Sequence, residues 1–292
     1  MTFDSIQEIF EEILRSGNPF WQVVRDGDAA EKQMPVEQSM AQMKRTWQAM
    51  VESVETYQSH RRSVSGLVGG DAQKMREYNE NGAPLSGPYL RDVIATALCV
   101  GESNACMRKI VAAPTAGACG VLPAVLVPLY QRGECSEEEI LQALYVAAGI
   151  GVVIGYRACI AGASGGCQAE IGSASAMAAG ALVHLRGGDH NQIGHAVAMT
   201  LKNLMGLICD PIAGLVEVPC VKRNVIGAVN AVSCADMALA GIESRVPVDQ
   251  VIDCMGDVGR RLPVEFRETA LGGLADTPFG REVKKQMSRE TL

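Results

Sequence analysis

Three of the ten cysteines in the sequence lie where a thiolate would be well placed to bind a metal. Cys167 follows two glycines, Cys209 precedes an Asp-Pro pair, and Cys220 follows a proline, so each lies at a predicted helix boundary. Backbone N–H groups at such boundaries can donate to a thiolate or to a cluster sulfide. The spacing of the three matches neither a zinc knuckle nor a ferredoxin, so spacing alone also permits three ordinary buried thiols.

Three glycine-rich turns could each present several backbone N–H groups at the start of a helix. Such a turn can bind a carboxylate or a phosphate, although glycine is also common in ordinary helix caps. None of the three matches the phosphate loop of nucleotide-binding proteins or the dinucleotide-binding motif. Their sequences are SGLVGGDAQK at 65–74, APTAGACG at 113–120 and GASGGCQAE at 162–170.

The composition indicates a globular protein and argues against several classes of partner. The 292 residues are 48% hydrophobic, and the net charge of −7 gives no sign of the basic surface that nucleic acid or an anionic membrane would require. The first residues include acids where a secretory signal would be basic. The longest uncharged run, 110–130, contains three prolines and predicts a buried loop that leads into a helix. We therefore expect a cytoplasmic protein with reduced thiols that binds neither membrane nor nucleic acid.

Helical periodicity dominates the segments that must position these residues. Apolar side chains recur at helical spacing over 4–16 and 40–54. Ser136 and Glu139 form the S-x-x-E pattern of a capping box, which predicts a helix that begins there. Four further segments are rich in Ala, Met and Leu without the alternation of a strand, and they lie near 173–186, 191–205, 223–241 and 249–261.

These patterns predict an all-α fold. Short strands remain an alternative at 121–127 and 150–154, which are rich in Val and Ile. The composition changes near Ser65 to Gly, Ala and Ser among aliphatic residues, which lets helices approach one another closely. We therefore divide the chain into an N-terminal helical segment over 1–60 and a larger, compact helical domain with glycine-rich turns over 61–292.

Four long strings closely resemble the α chain of the iron–sulfur L-serine dehydratases. The resemblance extends from about residue 65 to about residue 282, and the first sixty residues also resemble the two-chain form of the family, less distinctively. The strings are APTAGACGVLPAVL, GASGGCQAEIGSASAMAAGAL, LKNLMGLICDPIAGLVEVPCVKRN and RETALGGLADTPFGRE.

The resemblance implies that the larger domain is catalytic and holds a [4Fe–4S] cluster through three cysteines. Carried over by motif, the ligands are Cys167 of GGCQAE, Cys209 of ICDPIAG and Cys220 of EVPCVKRN. Three thiolates leave one of the four irons open, and that iron can act as a Lewis acid on the hydroxyl group of L-serine. The implied reaction is dehydration of L-serine, after which the enamine hydrolyses to pyruvate and ammonia. The remaining cysteines are interpreted as structural, and they are Cys99, Cys106, Cys119, Cys135, Cys159, Cys234 and Cys254.

The glycine turns then suit the carboxylate of a small amino acid. The first two turns supply six candidate substrate-binding residues, each of which could also be an ordinary cap or a buried polar group. They are Ser65, Gly69, Gly70, Asp71, Thr115 and Gly117. A monovalent cation stays open as a further cofactor.

The general base that would remove the α-proton is not evident in the sequence. The four histidines lie outside the resembling strings and are expected at the surface or in satisfied core positions. Single-chain relatives have an additional N-terminal domain with an S-H-T-x-G-P motif, and in the two-chain form that motif belongs to a β chain. Because the motif does not occur in this sequence, the resemblance implies that a β chain completes the active site.

Two other functions stay open at this point. An L-cysteine desulfidase also resembles the family, and it could use the same three-cysteine cluster to eliminate a different leaving group. A non-catalytic iron–sulfur or zinc scaffold would need a fourth protein ligand. The one further cysteine in a resembling string is Cys119, and the resemblance gives it no role as a ligand.

Overall fold

Thirteen α-helices account for most of the regular structure of residues 3–290, the part of the chain that the computed structural model describes, and short helical turns lie in several of the segments that join them. No β-strand occurs in these residues, so the predicted all-α fold is confirmed. The helices are α1 Ile6–Ser16, α2 Phe20–Glu31, α3 Val36–Glu55, α4 Asp71–Asn81, α5 Pro88–Ala105, α6 Val121–Gln131, α7 Glu137–Arg157, α8 Gly162–Gly165, α9 Ser173–Leu185, α10 His190–Leu204, α11 Cys220–Leu239, α12 Val248–Arg261 and α13 Pro278–Glu290.

The capping box predicted at the start of α7 is present. The Ser136 hydroxyl accepts a hydrogen bond from the Glu139 N–H at 3.3 Å, and the Glu139 carboxylate accepts one from the Ser136 N–H at 2.8 Å. Both reciprocal bonds satisfy backbone donors that a helix otherwise leaves free at its first turn. The segments 121–127 and 150–154 lie in α6 and α7, so the alternative of short strands is excluded.

Helix α9 lies at the centre of the molecule, packed against α6, α7, α10 and α11. Its sequence, SASAMAAGALVHL, consists largely of small residues, and these are buried on every side. Gly180 permits the closest approach, because a Cβ there would lie 2.2 Å from Cδ1 of Ile150 on α7. The small-residue composition of the region thus lets neighbouring helices pack tightly around a common axis.

The N-terminal helices share this hydrophobic core. Helices α2 and α3 pack against α7, and Phe20 and Trp47 are buried in the same cluster as the residues of α9. The division of the chain at residue 60 stays a prediction.

Helix α7 is the one helix in residues 3–290 that is long and apolar enough to span a membrane. Most of its apolar stretch is buried inside the molecule, as expected of a core helix. The run 110–130, which also has that length, forms a loop, a short turn and then α6, whose residues 121–129 are buried. The expected helix is therefore present, but the loop that leads into it is only partly buried, with Ala112 and Ala116 exposed.

Candidate active site

Three buried thiols converge from three separate segments. Cys167 follows α8 at the turn that leads into α9, Cys209 lies on the extended segment between α10 and α11, and Cys220 is the first residue of α11. Their exposed fractions are 2%, 2% and 8%. The thiol of Cys209 hydrogen bonds to the sulfur of Cys167, and burial, together with the nearby charge of Cys167, raises the pKa of Cys220. The fold therefore brings together the three cysteines that the sequence singled out.

A sharp bend places Cys167. Gly166 has a φ of 75°, in the left-handed region that favours glycine, and a wide helical turn over 168–172 follows the cysteine. The buried Gln168 then holds this turn in position, because its amide donates to the Met255 carbonyl at 3.2 Å and accepts from the Gly206 N–H at 2.8 Å. The turn is thereby attached to the segment that continues to Cys209.

Cys209 is held by backbone hydrogen bonds to the segment 266–268, between α12 and α13. Its N–H donates to the Phe266 carbonyl at 2.8 Å, and its carbonyl accepts from the Glu268 N–H at 2.8 Å. Glu268 has a φ of 63°, which is uncommon for a residue with a side chain. This short ladder places the Glu268 carboxylate beside the Cys209 sulfur.

Asn224 fixes the start of α11, one turn after Cys220. Its amide nitrogen donates to the carbonyls of Cys220 at 3.0 Å and Gly117 at 2.8 Å, while its oxygen accepts from the Gly120 N–H at 2.8 Å. The side chain is 1% exposed, so these bonds are shielded from water. Asn224 thereby joins the glycine-rich turn at 113–120 to the helix that presents Cys220.

A partly buried arginine provides positive charge at this centre. Arg223 donates to the Ile208 carbonyl and to the Asp210 carboxylate, both at 2.8 Å. A hydrogen bond from Cys209 and the nearby Arg223 guanidinium lower the pKa of Cys167, against the effect of burial. Burial raises the pKa of Cys220 to about 12, so the centre favours one thiolate over three. A bound cation would favour ionisation of all three sulfurs.

Two carboxylates complete the centre. One ligand atom each from Glu170, Cys209 and Glu268 lie within 4.8 Å of one another. A Cβ on Gly162 would be 2.8 Å from the Glu170 oxygen and 3.2 Å from the Cys209 sulfur, so a glycine here leaves the space that these groups occupy. Burial raises the pKa of Glu170, although the neighbouring Thr115 hydroxyl opposes that rise. Sulfur and oxygen ligands at such short separations are suited to a metal centre.

The sequence model of a family described as serine dehydratase alpha chain matches residues 15–275. The chain belongs to this family. The resemblance predicted from the four strings is thus confirmed.

Individual members of the serine dehydratase alpha chain family show how far the similarity extends. A Bacillus subtilis protein named probable L-serine dehydratase, alpha chain, is 51% identical over 235 residues, which are 78% of each chain. The L-serine dehydratase, alpha chain, of Peptoniphilus asaccharolyticus is 46% identical over 224 residues, 77% of each chain. A longer Helicobacter pylori protein named L-serine dehydratase is 36% identical over 289 residues, 94% of this chain but 62% of that protein.

In this family member, the second predicted substrate turn borders the cysteine centre. A Cβ on Gly117 would lie 3.3 Å from the Glu170 carboxylate, so the turn packs directly against that side chain. The buried hydroxyl oxygen of Thr115 makes no hydrogen bond of good geometry with any described residue, although it is near enough to Glu170 to influence its ionisation. A buried hydroxyl without a partner is costly, and a ligand beside Glu170 could supply one. Substrate binding by Thr115 and Gly117 stays a prediction.

The first predicted substrate turn is largely occupied by carboxylates of the chain itself. The N–H groups of Gly70 and Asp71 donate to the buried Glu102 at 3.1 and 2.7 Å, so these donors are not free for a ligand. The Ser65 hydroxyl donates to the buried Glu217, a short hydrogen bond.

Gly69 in the same turn has a φ of 131°, and a Cβ there would clash with the Arg61 carbonyl. Its backbone conformation and this close approach therefore require glycine. The Asp71 carboxylate forms ion pairs with Lys74 at 2.9 Å and with Lys222 at 3.0 Å. Contact between this turn and a substrate stays a prediction.

Sequence reasoning did not identify three residues of the centre: Glu170, Arg223 and Glu268. Each lies inside one of the strings that resemble the family, in GGCQAE, CVKRN and RETALGG. For Glu170 and Arg223 the available signal was a charged residue close to a candidate ligand in the sequence, whereas Glu268 has no candidate ligand near it in the sequence. Nothing in the local pattern indicated that residues so far apart in the chain would meet.

Proposed function

We propose that this chain is the cluster-holding subunit of an L-serine dehydratase, which converts L-serine to pyruvate and ammonia. The observation that carries the proposal is the convergence of three buried thiols from separate segments, beside two carboxylates and one partly buried arginine. The thiols are those of Cys167, Cys209 and Cys220. Relatives named L-serine dehydratase, alpha chain, at 46–51% identity support the same reaction.

The donor set fits a [4Fe–4S] cluster held by these three cysteines. Ionisation of all three thiols together is unfavourable in a buried site without added positive charge, and burial raises the pKa of Cys220 to about 12. Iron would provide that charge, and thiolates are the usual ligands of such clusters. When bound, the cluster would supply a Lewis-acidic iron that polarises the hydroxyl leaving group of serine.

The protein residues around the cysteines have separate tasks in this proposal. Arg223, held by Asp210, stabilises negative charge on the sulfur of Cys167. The carboxylates of Glu170 and Glu268 provide acceptors for the ammonium group of serine. The N–H and hydroxyl donors of the turn at 113–120 are the candidates for binding the substrate carboxylate. Burial of the centre limits access of water to the reactive enamine.

A partner is proposed to provide the general base. No histidine lies within the group formed by Glu170, Cys209 and Glu268. The longer Helicobacter pylori relative is 36% identical, and this chain matches only 62% of it, which leaves a region of that protein that could carry such a base. We therefore propose that a β chain completes the site. The monovalent cation and the cytoplasmic location also stay proposals.

A closed metal site is the second candidate function. The proximity of Glu170, Cys209 and Glu268 could give a scaffold the additional protein ligand that it would need. In such a site no metal position would be open to serine. An elimination from L-cysteine would use the same residues as the proposed reaction and differ only in the leaving group.

The test is anaerobic preparation of the chain with iron and sulfide, followed by addition of the β chain and a pyruvate assay. We expect an iron–sulfur absorption spectrum that is lost or labile in Cys167→Ser, Cys209→Ser and Cys220→Ser and retained in Cys254→Ser, since Cys254 is exposed outside the centre. We also expect pyruvate from L-serine in preference to L-cysteine. Stable zinc without iron would support the scaffold, and three cysteine variants that keep the cluster would contradict the proposal.

A further inference from the structure

A cavity of about 620 Å³ lies among α3, α4, α5 and α6. None of its lining residues belongs to the cysteine centre. Its size falls within the range of small-molecule sites. The side chains of Val54, Ala95 and Pro128 form an apolar wall, and charged and polar groups line the rest.

Several charged groups of this cavity have no ion-pair partner among residues 3–290. Arg76 lies over the Tyr57 ring at 5.5 Å, donates to the sulfur of Cys99 at 3.6 Å, and has no carboxylate partner among residues 3–290. Glu80, one turn further along α4, has no ion pair or hydrogen bond in the same residues, although charges at this spacing often pair. Glu55, at the end of α3, is also unpaired there. The cavity therefore offers an arginine without a carboxylate partner and two exposed carboxylates without an ion pair.

Two buried polar atoms of the cavity have no hydrogen-bond partner among the described residues. They are Nε of Arg91, a donor, and Oδ1 of Asn79, an acceptor. The two residues are neighbours, because the Asn79 amide donates to the Arg91 carbonyl at 3.1 Å and the Arg91 guanidinium donates to the Asn79 carbonyl at 3.5 Å. Buried polar groups nearly always find partners, so this adjacent donor and acceptor are available to a molecule that enters the cavity.

Asp92 does not provide a hydrogen-bond acceptor for Nε of Arg91. The two charged groups approach only to 4.0 Å, and Asp92 forms a closer ion pair, at 3.1 Å, with Arg132. The guanidinium of Arg91 is thus still able to bind an external carboxylate through the fork geometry that arginine presents.

We propose that this cavity binds a free α-amino acid as its zwitterion. The carboxylate of the ligand would accept from Arg91 and Arg76, while its ammonium group would donate to Oδ1 of Asn79 and face Glu55 and Glu80. A phosphate would leave the Asn79 acceptor unsatisfied and face two carboxylates, and a metal cation would face the arginines. The apolar wall leaves room for the side chain of the amino acid. This inference does not depend on the proposed catalytic function.

Calorimetric titration of the full-length chain with each common free L-amino acid tests the proposal. We expect at least one to bind saturably. Its N-acetyl derivative and its amide should each bind about tenfold or more weakly, because each loses one charged group of the zwitterion. Arg91→Gln and Glu80→Gln should weaken binding by a similar factor. The matched control is Arg45→Gln, since Arg45 is exposed on α3 and does not line the cavity.

Three outcomes would overturn the proposal. The first is the absence of saturable binding by any amino acid. The second is phosphate or acetate binding as tightly as the amino acids. The third is binding that survives Arg91→Gln and Glu80→Gln but is lost in Cys209→Ser, which would assign the ligand to the cysteine centre instead. Glu80 is exposed and has no partner among the described residues, so its variant stays informative if Arg91→Gln does not fold.

Discussion

The N–H of Glu268 donates to the carbonyl of Cys209 at 2.8 Å, so the closing part of the chain places a carboxylate beside a candidate cluster ligand. Because this hydrogen bond joins two backbone groups, a substitution of the Glu268 side chain would leave it in place. This allows the role of the Glu268 carboxylate to be tested without displacing the segment that carries it.

Glu268→Gln is expected to lower kcat/KM for L-serine by about 10 to 100-fold, because a hydrogen bond to a charged group contributes about 1.5–3 kcal/mol. The measurement is pyruvate formation by the cluster-loaded chain with its β chain. Glu265→Gln is the control, since Glu265 is an exposed neighbour on the same segment. Unchanged kinetics in Glu268→Gln would remove this carboxylate from the substrate site.

Gly162→Ala is expected to reduce activity more than stability. The new Cβ would lie 2.8 Å from the Glu170 oxygen and 3.1 Å from the Glu268 oxygen, and these ends of flexible side chains can move aside. The displaced carboxylates would then no longer face the centre as they do now. Activity and urea unfolding should be compared with Gly87→Ala, where a Cβ meets nothing within 4 Å. Equal activity of the two variants would contradict this expectation.

Arg223→Met is expected to reduce the free energy of unfolding by about 3–5 kcal/mol, since it leaves the Asp210 carboxylate buried without its charged partner. Chemical denaturation of the metal-free chain measures the loss. The double variant Arg223→Met with Asp210→Asn should recover part of it, because the remaining side chain is neutral. If the two changes are simply additive, the buried ion pair is not the source of the loss.

Glu102→Leu is expected to be one of the more destabilising single changes, by about 3–5 kcal/mol, because a buried carboxylate satisfies several donors at the start of α4. These donors include the N–H groups of Gly70 and Asp71 and the hydroxyl of Tyr57. Tyr57→Phe removes only one of them and should cost about 1 kcal/mol. Similar losses for the two variants in urea unfolding would argue against this role of Glu102.

The ion pairs of Asp71 predict a dependence of stability on pH. Lys74 and Lys222 hold the pKa of the Asp71 carboxyl below its ordinary value. The group therefore stabilises the fold above its unfolded-state pKa of about 3.9, and this contribution is lost as the pH falls through the lower folded-state pKa.

The difference between the wild type and Asp71→Asn should accordingly be at most about 1 kcal/mol at neutral pH, because solvent screens this half-exposed group, and it should disappear in acid. Urea unfolding of the metal-free chain across a pH series measures it. Added salt should shrink the difference, and a difference that grows in acid would show that the ion pairs are not its cause.

Much of the fold could be predicted because helix formation depends on residues three or four positions apart. Ser136 and Glu139 satisfy each other's backbone donors within one turn, so their pattern alone determines where α7 begins. The candidate cluster ligands could also be chosen from the sequence, because each lies in a short string that resembles the family without reference to the rest of the chain. They are Cys167, Cys209 and Cys220.

Only the tertiary structure decided which groups meet at the centre and which donors stay free. The glycine turn at 65–71 has the local pattern of an anion cradle, yet the Glu102 carboxylate on α5 already accepts from two of its N–H groups. Arg223 reaches Asp210, and Glu268 reaches Cys209, through packing of segments that are distant in the chain. A sequence pattern determines local hydrogen bonds because their partners are adjacent in the chain, whereas burial, ion pairing and access to a ligand depend on the whole folded arrangement.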